Sequence, residues 1–392
     1  MQERRFIFFR GLYSTLDLFT DEIARVCRDR GYEYLIVHAG KEAEQKEEIQ
    51  KFVKEPVTAA IGFGNMGLQF ETEPGVSLWD ARQIPYINVM MDHPFHFSQI
   101  FGLAPKDTTF LCPDENHVKY VKRFFPEIAA SGFLPHPGKE TAGVKKKIKD
   151  RRISVLYAGG LSRGVVGHMI PDFHEFKDFD ADLLTQRVLQ DMITHPGKTT
   201  EDAIEQYLLN QGIHYPDEEL REVIRRLRFI DSYVTSFFRE MTIKTLVENG
   251  IRVTLYGAGW EVCEWLSNPN LDYRGVVPAE EIPKLMADAK IVLNTMTWFK
   301  EGSHDRVFNG MLAGAAVVSD TSGYMMREFT NGKELYLFEL ERLGELPFTF
   351  KKLLADEDKL QQVADCGYEC AKKNHRMENR FDTILTKYIH FI

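Results

Sequence analysis

Two stretches decide the fold, ISVLYAGGLSRG (Ile153–Gly164) and IRVTLYGAGWE (Ile251–Glu261). Each is a short apolar run that ends in a pair of glycines, the pattern of a strand delivering its chain into a tight turn. Backbone N–H groups in such a turn, with the helix that follows, can hold an anion; the need for positive φ accounts for glycine there equally well. Working outward, LDYRGVV (Leu271–Val277), AKIVLNTM (Ala289–Met296), GAAVVSD (Gly314–Asp320) and ELYLFEL (Glu334–Leu340) continue the strand series. The same rhythm fills the start of the chain, where RRFIFFRG, LDLFTDEIARVCRDRG, YEYLIVHAG, KEAEQKEEIQKFVKE and VTAAIGFGN alternate strand and helix patterns up to Asn65. Alternation of this kind builds a parallel sheet covered by helices on both faces, with ligands beyond the C-terminal ends of the strands. The expected fold class is therefore α/β, with two Rossmann-like doubly wound halves.

IPYINVMMD (Ile84–Asp92) and TTFLCPDEN (Thr108–Asn116) add strands to the first half, and Asp114 is placed to cap the helix that follows. The basic, polar run ETAGVKKKIKDRR (Glu140–Arg152) reads as a link between halves. Between the two glycine turns, residues 169–250 carry long helical patterns such as DEELREVIRRLRFIDSYVTSFFREMTIKTLVENG (Asp217–Gly250). This helical insertion has no glycine turn for phosphates, so it is expected to shape an acceptor side or a subunit contact and to add little to anion binding. The expected division is residues 1–137, residues 138–375 with the insertion, and a final amphipathic helix at 376–392.

A length of 392 residues, at roughly 150 per domain, favours more than one domain. With 44% hydrophobic, 12% aromatic and 27% charged residues the composition excludes a disordered chain. A net charge of −9 disfavours nucleic acid as a partner. Five scattered cysteines suggest neither a disulfide framework nor a zinc site, and a reducing cytoplasm is expected. The start, MQERRFIFFRG, has no secretory pattern, and no apolar run approaches the roughly 18 to 20 residues that cross a bilayer.

The turn YGAGWE falls short of a dinucleotide fingerprint, because Val262 stands at the third glycine position and no acid ends a strand roughly 20 residues on. A nicotinamide cofactor is thus disfavoured. The most informative segment is FKEGSHDRVFNGMLAGAAVVSDTSGYMMREF (Phe299–Phe329), which sets Glu301, His304, Asp305 and Arg306 ahead of the apolar helix VFNGMLAG. The N–H groups and dipole of that helix favour an anion, Arg306 adds a charge-assisted contact, and Gly302 and Ser303 suit a close approach and a cap.

This segment resembles the donor-binding region of nucleotide-sugar glycosyltransferases of the two-Rossmann GT-B architecture, in particular the group 1 branch that includes spore-maturation CgeB-like proteins. The resemblance runs from about Arg252 to Phe338 and extends to an LPHG-like turn at Leu134, Pro135 and His136 and a W-x-N-R-like start of the last helix at Met377, Glu378, Asn379 and Arg380. It implies a hexosyl-type transferase acting without a metal cofactor, with a nucleotide-diphosphate sugar, UDP-sugar favoured, as donor substrate. It also implies a last helix that returns to the first domain. Glu301 matches the first acid of an E-x7-E pattern, and Asn309 stands where the second acid would hold the donor ribose, so the stereochemical outcome stays open. Arg163 matches a basic residue for the diphosphate, and Val276 and Val277 match the loop that meets the nucleobase. The donor set is then Gly159, Gly160, Arg163, Gly257, Gly259, Val277, Glu301, His304, Arg306 and Asn309.

In the first half, Asp92 and His93 follow a strand, where they could deprotonate an acceptor hydroxyl of a glycan, protein or cell-envelope molecule. A histidine before proline is equally a turn residue. The string DFDAD (Asp178–Asp182) looks like a metal-binding D-x-D but lies amid the helical patterns, and no metal is expected. Two rivals remain open, a nucleotide-sugar epimerase of the same architecture and a non-catalytic sugar-nucleotide binding protein, the latter suggested by Asn309. A homo-oligomer is compatible with all three.

Overall fold

The computed structural model describes residues 4–389 apart from 42, 74, 142 and 144. The chain divides into two compact units, one made of Met1–Lys139 with Asn374–Ile392 and the other of Glu140–Lys373.

The first unit holds a six-stranded sheet built from β1 (Arg5–Arg10), β2 (Glu33–His38), β3 (Ala59–Phe63), β4 (Tyr86–Val89), β5 (Thr108–Cys112) and β6 (Ala130–Phe133). The strand order is β2-β1-β3-β4-β5-β6, and every pairing is parallel. Parallel strands need crossovers, and α1 (Ser14–Asp29) supplies one by burying Phe19, Ile23, Val26 and Cys27, which recur at three and four. Helix α2 (Glu115–Phe124) starts where Asp114 accepts the N–H of Asn116 at 2.7 Å.

In the second unit the sheet is made of β7 (Ile153–Ala158), β8 (Val253–Tyr256), β9 (Leu271–Tyr273), β10 (Ala289–Asn294), β11 (Ala316–Asp320) and β12 (Tyr336–Phe338). Its order is β9-β8-β7-β10-β11-β12, again all parallel. Both sheets are doubly wound, and in the second the order reverses between β7 and β10, the switch point beyond which ligands of such sheets sit.

After β7 come α3 (Arg163–Met169), α4 (Ala181–Thr194), α5 (Thr200–Asn210), α6 (Asp217–Leu227) and α7 (Phe229–Glu248). The acids of DFDAD have local jobs: Asp180 caps α4 by accepting the N–H of Leu183 at 2.9 Å, and Asp178 accepts the hydroxyl of Tyr215 at 2.7 Å. Helix α7 is no appendage, because its Ile243, Leu246 and Val247 pack with Val155, Tyr157, Leu255, Ile291, Leu293 and Trp260 in one buried cluster. At about 1.5–3 kcal/mol for each fully buried large aliphatic side chain, this contact anchors the last helix of the insertion to the sheet.

Two further helices follow β10 and β11, α8 (Asp305–Leu312) and α9 (Gly323–Glu328). The last regular helix, α10 (Met377–Thr383), belongs to the first unit, where Phe381 meets Phe6 edge-on at 5.2 Å and Glu378 takes Arg25 at 2.8 Å. A single π turn covers Ile384–Tyr388, and residues 390–392 of the expected final helix lie outside the described residues.

Candidate functional site

Strand β7 ends at Ala158, so Gly159 and Gly160 lie at the C-terminal edge of the second sheet, beside the end of β10 at Asn294. The guanidinium of Arg306, from the first turn of α8, rests on this turn. A Cβ on Gly159 would lie 2.8 Å from its Nη2, so glycine is what lets the charge approach the backbone. Arg306 is only 7% exposed although it stands in the first turn of its helix, where side chains commonly face solvent. The difference arises because neighbouring strands receive the side chain: Nη1 donates to Asn294 Oδ1 at 2.8 Å, and Cζ stands 5.1 Å from the centre of the Tyr157 ring. Asn294 is held by Ser319 at 2.9 Å, and the Tyr157 hydroxyl meets that of Thr295 at 2.9 Å.

Helix α8 is capped by His304, whose Nδ1 accepts the N–H of Arg306 at 3.1 Å. Burial lowers the pKa of His304, with the charge of Arg306 adding to the effect against the pull of Asp305, and the neutral ring can accept that bond. Ser303, which the sequence offered as a cap, is instead fully buried, and its hydroxyl finds no hydrogen-bond partner among the described residues. The loop leading to α8 is fixed by Asp320, whose oxygens accept the N–H of Met296 at 2.9 and 3.0 Å. Burial pushes the Asp320 carboxyl up to about 7.

The second glycine turn packs directly against the first. Gly257 and Gly259 have φ of 140° and 85°, and a Cβ on either would overlap the carbonyl oxygen of Gly159 or Leu161. Cross-bonds from Gly159 N–H to Tyr256 O and from Leu161 N–H to Ala258 O, both 2.8 Å, clamp the two turns together. The N–H of Gly257 is taken by Gly275, next to the loop carrying Val276 and Val277. This second turn is the platform on which the first rests.

Charge accounting separates the arginines. Arg163 pairs with Glu240 at 2.6 Å, so its charge is met within the protein. Arg306 has no carboxylate partner among the described residues, and neither has Arg239 of α7, which the sequence reading overlooked. The Nη1 of Arg239 donates to the carbonyl of Gly160, and its Cζ stands 5.1 Å from the Trp298 ring centre. The insertion, which carries no glycine turn of its own, therefore sends a side chain to the first glycine turn. The only signal in the sequence was an arginine between Phe238 and Met241 on the apolar side of a helix.

Two further residues of the donor set lie nearby in sequence. Glu301 pairs with Arg327 at 2.6 Å and sits so close to Gly323 that a Cβ there would overlap its carboxylate. Asn309 donates to Asp305 at 2.8 Å across one helical turn.

Asp92 and His93 belong to the first unit, after β4. Asp92 is exposed. His93 is 6% exposed, stacks on Phe95 at 3.7 Å, stands 4.3 Å from His117, and accepts the N–H of Phe95 through Nδ1 at 3.2 Å. Burial holds its pKa well below the usual histidine value, so the ring is neutral.

No group of three or more metal-ligating side chains is found among the described residues, and none of their helices is long and apolar enough to cross a membrane.

Residues 235–386 match a family model described as glycosyl transferase-like. No curated protein matches the chain in sequence. Among solved structures, HepE from Anabaena, crystallised with UDP and glucose, superposes with a TM-score of 0.55 at 13% identity over 98% of this chain and all of that one. Sucrose-phosphate synthase from Thermosynechococcus elongatus gives 0.53 at 9% identity, covering 98% of each chain. A glycosyltransferase from Rickettsia africae gives 0.52 at 8% identity, covering 98% of this chain and 97% of that one. These likenesses, together with the two parallel sheets, establish the fold as the two-domain α/β GT-B architecture.

Proposed function

We propose that the chain is a group 1 glycosyltransferase that binds a nucleoside-diphosphate sugar at the β7–β10 switch point of its second unit. The observation that carries this reading is Arg306, a buried guanidinium held by Asn294 and Tyr157 on a glycine turn and met by no carboxylate among the described residues. A buried charge without a counter-charge is costly, and a diphosphate supplies the missing one. The family match over 235–386 and the UDP held by HepE support the same class.

In this reading the acceptor oxygen attacks the anomeric carbon, the bond to the diphosphate breaks, and Arg306 stabilises the charge that develops on the leaving group. With guanidinium charge at that position, transfer needs no metal. A hexosyl donor carried on uridine, an acceptor proton passing to His93 or Asp92, CgeB-like kinship and a cytoplasmic setting complete the proposal. Buried free thiols at Cys27, Cys112 and Cys263 support a reducing compartment.

A thermal-shift panel of UDP-, GDP-, TDP- and CMP-sugars tests the class, because a ligand at 100 times its dissociation constant stabilises by about 2.7 kcal/mol. The expected result is a shift with one nucleoside-diphosphate sugar and transfer to an added acceptor. A flat panel would overturn the reading, and isomerised sugar without acceptor would replace it with an epimerase.

A further inference from the structure

Arg239 lies midway along α7, directly after the buried Phe238, and is itself 9% exposed. A guanidinium presents five N–H donors, and burying it is costly when those donors go unmet. Here Nη1 reaches the carbonyl of Gly160, the Trp298 ring lies 5.1 Å from Cζ, and Nε is buried with no hydrogen-bond partner among the described residues. The adjacent acid does not help, because Glu240 is taken up by Arg163 and by the indole N–H of Trp265 at 3.1 Å.

A second charge of the same sign stands close by. Arg306 rests on Gly159 and Arg239 on Gly160, so two buried guanidiniums meet successive residues of one turn. Burial first and Arg306 next hold the pKa of Arg239 below its usual value, against the pull of Tyr157 and Asp320. Repulsion of this kind is relieved by an anion carrying more than one negative charge, which draws on both groups at once.

We propose that Arg239, carried by the helical insertion, is a second anion-binding side chain of this site and holds the phosphate oxygens of a nucleoside diphosphate jointly with Arg306. The proposal rests on the donor site assigned above. It makes the insertion part of the donor site and ties α7 to ligand binding through the stack on Trp298.

Calorimetry on the full chain with UDP, GDP, uridine, guanosine and inorganic pyrophosphate tests it, using the wild type, Arg239→Met, Arg239→Lys and Arg306→Ala. The expected result is a 10- to 100-fold loss of affinity for the nucleoside diphosphate and for pyrophosphate in Arg239→Met, and partial recovery in Arg239→Lys. Affinity for the bare nucleoside should not change, which a merely structural Arg239 would not explain. If Arg306→Ala weakens the diphosphate and Arg239→Met does not, Arg239 only clamps Gly160 and the proposal fails while the donor site stands. If the wild type binds neither nucleoside diphosphate nor pyrophosphate, both fail together. Should Arg239→Met not fold, Arg239→Lys decides: a threefold or greater loss for pyrophosphate supports the role, and unchanged affinity overturns it.

Discussion

Arg306 has a structural role in its bond to Asn294 and, in the function proposed above, a second role at the donor. Its partner Asn294 is fully buried, so Arg306→Ala strands an acceptor and should cost about 1–3 kcal/mol of stability. Loss of a charge-assisted contact should also weaken nucleotide-sugar binding by roughly 10- to 100-fold. Denaturant midpoint and donor dissociation constant measured on the same variant separate the two effects, and an unchanged dissociation constant would remove Arg306 from the donor site. His93 poses the converse question. If its neutral ring takes the acceptor proton, His93→Ala should lower turnover by about 10²- to 10⁴-fold with donor affinity intact. If the variant loses stability and keeps its turnover number, the ring is only the cap of the turn that begins at Pro94, and Asp92→Asn becomes the variant to test.

At the scale of elements, two glycine turns act as one unit, with the second fixing the first. Gly259→Ala would force a side chain onto φ of 85° and into the carbonyl of Leu161, and should cost about 2–4 kcal/mol. Urea unfolding reads this directly. A variant as stable as the wild type would show that the turns do not depend on that close approach. Gly164→Ala, where a Cβ meets nothing within 4 Å, is the matched control and should be nearly neutral.

For the molecule as a whole, buried titratable groups set opposite pH responses in the two units. His93 and His375 of the first unit are both held below their usual pKa, His375 to about 3, chiefly by burial. A depressed histidine binds its proton more readily when unfolded, so its contribution is complete above the unfolded value near 6.5 and is lost as pH falls below it. Each should remove about 1.4 kcal/mol per pH unit there. In the second unit the depressed His304 acts in the same sense, but Asp320 and Glu201, both raised to about 7 by burial, act in the other: their contribution is present at low pH and is lost as pH rises towards 7. Calorimetry between pH 5 and 7.5 should therefore show the first unit melting earlier on acidification while the second melts later. Replacing His93 and His375 with Gln should flatten the response of the first unit, and an unaltered slope would contradict this account.

Much of this was legible in the order of residues alone. Strand and helix patterns depend on neighbours within a few positions, so the alternation up to Asn65, the strands at Ile153–Ala158 and Ala289–Asn294, and the Asp114 cap could be read locally. Two doubly wound sheets follow from that alternation. The polar cluster before α8 was visible too, since charged residues ahead of an apolar helix stand out in any window. What tertiary structure alone decided is which charges meet a counter-charge and which do not. Arg163, Arg239 and Arg306 are alike in sequence, yet Glu240 neutralises the first and leaves the other two facing Gly159 and Gly160. That outcome depends on α7 packing against the second sheet, about eighty residues after the turn it reaches. Likewise the close approach of Gly257 and Gly259 to the backbone of the other turn cannot be read from the sequence. Local pattern follows from the period of a helix or strand, whereas pairing of charges and close approach of backbones follow from which distant segments share a core.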